Sequence, residues 1–235
     1  MSILCFDIET IPTELDAPGR MAIERMAEKR EMPTDMFAAL CPPLARVVAI
    51  GMLHPQSGHS LVLFDGPLFG VSLAKDELKT ADYAGIDGRA AGGEAALLRE
   101  FMSICDGRRG KPAVDRFITF NGKGFDIPTL IHRAAIHQVA PANSLAKAAN
   151  AKPWEADIHV DMATAFRFGG ATGRYSLEAF ALGYGLANPK AEGDGSKLGT
   201  YVEQKDAASL FQYVMGDVVT TAKLYERWRS LGLVP

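Results

Sequence analysis

The chain has 235 residues, is 48% hydrophobic and 23% charged, and carries a formal net charge of −3. This is a globular composition with ample apolar residues for a core, and the mildly acidic balance argues against a large duplex-binding surface, though not against a cleft charged by bound metal. Cys5, Cys41 and Cys105 are too scattered for a zinc site or a disulfide framework, and with no signal-peptide pattern and no apolar run of about 18 residues the expectation is a cytoplasmic protein without a membrane partner.

In chain order, the pattern predicts a first strand over about residues 2–9 and helix over 17–40, interrupted at Pro33. Residues 46–53 (RVVAIGML) and 60–64 (SLVLF) flank a turn-rich segment and predict an antiparallel hairpin. Residues 66–92, rich in Gly, Ala and Asp, read as an irregular excursion. Residues 94–105 have helical periodicity, and 117–120 (FITF) read as a strand. A helix follows over 125–137, with Pro128 in its first turn where proline is tolerated. Residues 143–151 are weakly helical, 158–162 form a short strand, and helices cover 163–168, 176–184 and 206–230. Gly169 to Gly173 read as a flexible loop, because the Lys-Ser/Thr of a phosphate loop is missing. The expected fold is α/β: a mixed sheet, antiparallel first and parallel later, flanked by helices. One domain over 1–235 is expected, with a helical insert at about 14–42 and the irregular insert at about 66–92.

Three short segments carry chemistry. Asp7 and Glu9 stand at i and i+2 of the first strand, so both project from one face. Two like charges that close repel, burial raises the cost, and a divalent cation between them is the usual remedy. On their own, a polar strand end would be the better reading. Asp126 follows a strand and the turn Asn121-Gly122-Lys123-Gly124-Phe125, at the start of a helix. Helix capping alone would explain an acid there. Tyr213 and Asp217, at i and i+4, share a face of the last helix among apolar neighbours, and an acid so placed needs a partner.

Together the segments FDIET, NGKGFDIPTL and YVMGD resemble the three motifs of the DEDD superfamily of 3′–5′ exonucleases. A tyrosine four residues before the last aspartate resembles the tyrosine subclass; the histidine subclass has His five before it, where this chain has Gln212. His159-Val160-Asp161-Met162, Tyr175-Ser176-Leu177-Glu178 and residues 193–197 (GDGSK) are similar to a stand-alone branch related to the proofreading exonuclease domain of family-B DNA polymerases. The resemblance spans nearly the whole chain and is weakest over 13–45 and 66–115.

The resemblance implies a ribonuclease H-like fold and two-metal catalysis. The cofactors implied are two divalent cations, Mg²⁺ or Mn²⁺, which suit hard carboxylate oxygens. Asp7, Glu9 and Asp217 would hold one ion and Asp7 the other, with Asp126 reaching it through water. Tyr213 would orient the attacking water. The expected partner is a single-stranded nucleic acid 3′ end, DNA ahead of RNA, cleaved to nucleoside 5′-monophosphates, with a polymerase or repair complex as a partner in trans. Thr10, Ile11, Asn121 and Phe125 are candidates for substrate contact, although core packing explains Phe125 equally well. His159 and Asp161 are read as structural, and Lys123 and Arg174 as solvated surface. An RNA-trimming exonuclease with the same site and a non-catalytic binding module are the alternatives.

Overall fold

The computed structural model describes residues 1–107, 111–152, 155–189 and 197–235. Its strands are β1 (Ile3–Pro12), β2 (Ala45–Leu53), β3 (Ser60–Asp65), β4 (Leu78–Tyr83), β5 (Ile86–Ala91), β6 (Arg116–Thr119) and β7 (His159–Asp161). They form one sheet in the order β4-β5-β3-β2-β1-β6-β7. The β1–β2, β2–β3 and β4–β5 pairs are antiparallel, and the β1–β6, β6–β7 and β3–β5 pairs parallel. This is the mixed α/β sheet that the strand order implied.

β1 lies within the sheet and is covered on both faces, which is why its sequence runs as nearly unbroken apolar residues. Its alternation divides the core. Ile3 and Cys5 face one layer with Phe64, Ile118 and Val218; Leu4, Phe6 and Ile8 face the other with Phe101, Phe117 and Leu130. The second layer is closed by α3 (Glu94–Cys105) and α4 (Asp126–Ile136), the first by the 24-residue helix α9 (Ala207–Ser230). At about 1.5 Å per residue α9 is roughly 36 Å long, enough to cross the sheet. It meets Gly88 of β5 through Phe211 and Gly51 of β2 through Val214 and Val218, and packs Trp228 against Phe166 beyond β7. No helix among the described residues is long and apolar enough to cross a membrane.

The stretch 17–40 is two helices, Ala17–Glu28 and Thr34–Leu40, with Pro33 as the N-cap of the second. It forms its own small cluster around Ile23 and Phe37.

The irregular excursion expected at 66–92 is corrected by the structure. After a 3₁₀ turn (Gly66–Phe69), β4 and β5 form a hairpin that extends the sheet at its edge. The turn uses Ala84 at φ 55° and Gly85 at φ 73°, and Asp82 Oδ1 accepts the Gly85 N–H at 3.2 Å. An alanine is an unfavourable residue for the left-handed region, so the turn signal was weak. β4 is half exposed, which removes the apolar run that marks a buried strand. A helix over Leu198–Gln204, also not expected from the sequence, packs against α9. Of the GDGSK segment, residues 193–196 lie outside the described residues.

A buried ion network ties α3 and α4 to the sheet. Glu94 accepts the Val47 N–H at 2.9 Å, Arg133 Nε at 2.8 Å and Arg133 Nη2 at 2.5 Å, and meets His137 Nε2 at 2.8 Å. Arg133 Nη1 also donates to Thr13 Oγ1 and the Pro43 carbonyl, so one guanidinium joins α4 to the exit of β1 and the entry of β2.

Candidate active site

Asp7 and Glu9 share the face of β1 that carries Cys5, the face turned toward α9. Asp217 comes down on them from that helix. One ligand oxygen each from Asp7, Glu9 and Asp217 lies within 4.8 Å of the others. Asp126 arrives from the other side: it opens α4, just beyond the C-terminal end of β6, and its Oδ1 accepts the Ile8 N–H at 3.2 Å. The Asp126 carboxyl stands beside that of Asp7, close enough for each to shift the other's titration. All four acids named from the sequence therefore converge, although they come from three separate elements.

Glu9 and Asp126 are buried, and Asp7 and Asp217 are half-buried. Burial lifts the Asp7 carboxyl well above the usual carboxylate range, and the charges of Asp126, Glu9 and Asp217 push it the same way. Burial lifts Asp126 to about 7 against the hydrogen bonds from its own and the Ile8 N–H, with Asp161 adding to the rise. Such a site favours a proton or a cation, and its hard oxygen donors fit Mg²⁺ or Mn²⁺.

Tyr213 is buried one helical turn before Asp217, on the same side of α9. What lets α9 lie so close is Gly51, the register partner of Asp7. A Cβ there would stand 2.9 Å from Val214 Cγ2 and 3.1 Å from Val218 Cγ2. Gly51 was not singled out in the sequence, yet a glycine inside an apolar strand is a known mark of close backbone approach.

The turn that delivers Asp126 is held by β7. The Asp161 carboxylate accepts the N–H of Asn121 at 2.9 Å, Lys123 at 3.0 Å and Thr164 at 3.3 Å. Thr119 Oγ1 accepts the Gly122 N–H at 3.1 Å and lies 2.8 Å from His159 Nε2. A Cβ on Gly122 would come within 2.3 Å of that oxygen, so glycine is required. Burial, with a smaller push from the Lys123 charge, lowers His159 to about 3 and keeps it neutral. The His-x-Asp spacing thus puts two side chains on one face of β7, both bracing the neighbouring strand and turn.

The candidate contact residues divide. Asn121 is exposed, at φ 67°. Phe125 is half-buried against the α3–α4 core layer. Thr10 directs its hydroxyl at the Ala39 carbonyl, 2.8 Å away, and Ile11 packs on the α9 layer. Lys123 Nζ donates to the Glu155 and Lys152 carbonyls, at 2.6 and 3.4 Å.

A family model described as a predicted 3′–5′ exonuclease related to the exonuclease domain of PolB matches residues 43–232. A search of curated proteins found no match. Among solved structures, a family B DNA polymerase from the hyperthermophilic archaeon Pyrobaculum calidifontis is similar with a TM-score of 0.55 and 18% identity, over 99% of this chain and 25% of that one. At that identity the likeness is one of fold, and this chain spans a quarter of the polymerase's length.

Proposed function

The chain belongs to the family of predicted 3′–5′ exonucleases related to the exonuclease domain of PolB, and from that premise we propose that it hydrolyses phosphodiester bonds at single-stranded 3′ ends by two-metal-ion catalysis. The products are nucleoside 5′-monophosphates, and DNA is preferred to RNA. Service to a polymerase or repair complex in trans belongs to the same reading. The observation that carries it is the convergence of Asp7, Glu9 and Asp217 within 4.8 Å, with Asp126 held on the Ile8 N–H beside Asp7.

In this reading Asp7, Glu9 and Asp217 hold one Mg²⁺ or Mn²⁺, and Asp7 with Asp126 serves the second. Bound there, the ions neutralise the acids and supply Lewis-acid stabilisation of charge on the phosphoryl oxygens. The residues do the positioning. Tyr213, on the same side of α9 as Asp217, is suited to orient the attacking water by hydrogen bonding. Asp161 and Thr119 keep the 121–125 turn in place, so Asp126 is aimed before substrate arrives. Asn121, exposed on that turn, is offered to the incoming strand with the half-buried Phe125 beside it, and the partly exposed Thr10 and Ile11 border it beyond Glu9.

The test is digestion of 3′- and 5′-blocked single- and double-stranded DNA and RNA with Mg²⁺ or Mn²⁺, beside Asp7→Ala. Shortening from free 3′ ends that is lost in Asp7→Ala is expected. Undiminished metal-dependent cleavage by that variant would sink the assignment. Faster loss of RNA than of matched DNA would favour an RNA-trimming enzyme, and no cleavage of any substrate a binding module.

A further inference from the structure

One exposed aromatic segment is not used by this site. Residues 166–175 read Phe-Arg-Phe-Gly-Gly-Ala-Thr-Gly-Arg-Tyr and follow α6 (Met162–Ala165), the short helix that leaves the C-terminal end of β7. Because β1, β6 and β7 are parallel, that end lies on the same edge of the sheet as the 121–125 turn and Asp126. Two large aromatic side chains here face solvent: Phe168 is 63% exposed and Tyr175 61%. Each has one neighbour behind it, Phe168 against Trp228 at 5.6 Å between ring centroids and Tyr175 edge-on to Phe180 at 6.2 Å. Each is thus held with much of its ring open.

Phe168 adopts φ 47°, a left-handed backbone that is a genuine outlier for a bulky residue, and Gly169 and Gly170 continue it at 68° and 102°. The Thr172 hydroxyl, bonded to the Phe166 carbonyl at 3.0 Å, fixes the loop. Cations flank the rings. Arg174 is exposed beside Tyr175. Arg167 lines a cleft of about 400 Å³ with Lys123, Gly169 and Gly170, and its buried Nε has no hydrogen-bond partner among the described residues. The acids on that cleft are already engaged, Asp161 by three backbone N–H groups and Glu155 by the Lys152 N–H.

We infer that Phe168 and Tyr175, with Arg167 and Arg174, form a base-stacking platform for the single strand whose 3′ end lies at the carboxylates. The inference rests on the exonuclease reading and adds where the strand runs. Trp228, behind Phe168, lies eleven residues beyond Asp217 on α9, about 16 Å along the helix. A strand must extend past its 3′-terminal nucleotides to cover that distance and the rings beyond it. Stacking on open aromatic faces with nearby guanidinium groups is sequence-tolerant, which suits an enzyme that removes any base.

The experiment is fluorescence anisotropy of the full chain with 5′-labelled dT12 and dT3 in Ca²⁺, paired with the cleavage assay above. dT12 should bind tighter than dT3. Phe168→Ala and Tyr175→Ala should each lower the dT12-to-dT3 affinity ratio roughly tenfold, and Phe168→Trp should restore it. Met21→Ala, which removes an equally exposed apolar side chain from the first helix, should leave the ratio alone. A wild-type ratio in both alanine variants, with circular dichroism unchanged, overturns the platform. So does a wild-type protein that binds dT12 no better than dT3. Loss of the exonuclease reading shows separately, as no strand shortening with Mg²⁺ or Mn²⁺, and would remove the 3′-end placement with it.

Discussion

His159 has no exposed surface and its Nδ1 has no hydrogen-bond partner among the described residues, so it must fold neutral. Its pKa of about 3, set by burial and then by Lys123, lies far below the ordinary value near 6.5. A depressed folded pKa means that the unfolded chain takes the proton first. The stability His159 contributes is therefore full above pH 6.5 and is lost as pH falls toward 3. Between pH 6.5 and 4.5 the loss is about 2–3 kcal/mol. The stability difference between the wild type and His159→Gln, from urea melts at each pH, should fall by that amount over this range, because the raised carboxyls Asp7 and Asp126 contribute alike to both. At this scale the sequence was informative where spacing carried chemistry. Asp7, Glu9, Asp126 and Asp217 could be named because two-residue and four-residue spacings place side chains on one face. Gly51 and Thr119 were not named, because what they do depends on Val214 and Gly122, which only the folded chain brings to them.

Among the elements, α9 decides the site. It contributes Tyr213 and Asp217, and it reaches β1 only because Gly51 and Gly88 leave room for Val214, Val218 and Phe211. Gly51→Ala should push the helix away from β2 beside Asp7. The expected outcome is a loss of about 1–3 kcal/mol in chemical denaturation, as for other overpacked cores. The larger effect should be on affinity for Mn²⁺, measured by calorimetry, since Asp217 would be carried off the other two acids. Helices α3, α4 and α9 were legible as apolar residues at helical spacing. The β4–β5 hairpin was not, because half-exposed edge strands lack a continuous apolar run and the turn has Ala84-Gly85 where Asn-Gly would have announced it. The Glu94–Arg133 network was equally hidden: its partners come from α3, α4, β2 and the segments ending at Thr13 and Pro43.

For the molecule as a whole, the gathered acids set like charges against the fold. Asp7 and Asp126 both have raised folded pKa values, so the stability they contribute is full below the ordinary carboxylate range and is lost as pH rises through about 7. Divalent ions should reverse this. At pH 7.5 and Mn²⁺ about a hundredfold above its dissociation constant, the gain is about 2.7 kcal/mol, or roughly 5–10 °C in Tm. The gain should shrink at pH 5 and largely vanish in Asp7→Asn, which should itself melt higher than the wild type without metal; an equal Mn²⁺ shift in that variant would contradict the assignment of Asp7. The placement of β1 inside the sheet, with α9 laid across it, has a further consequence in time. The Cys5 thiol donates to the Val218 carbonyl across 213 residues of sequence, and Asp217 meets Asp7 and Glu9 over nearly the same interval. A contact of that span is costly to close before other structure has shortened the loop. Asp217 then joins the other acids when the last helix settles on an otherwise formed sheet. A bound ion should accordingly slow unfolding in stopped-flow measurements and leave the rate of folding nearly unchanged.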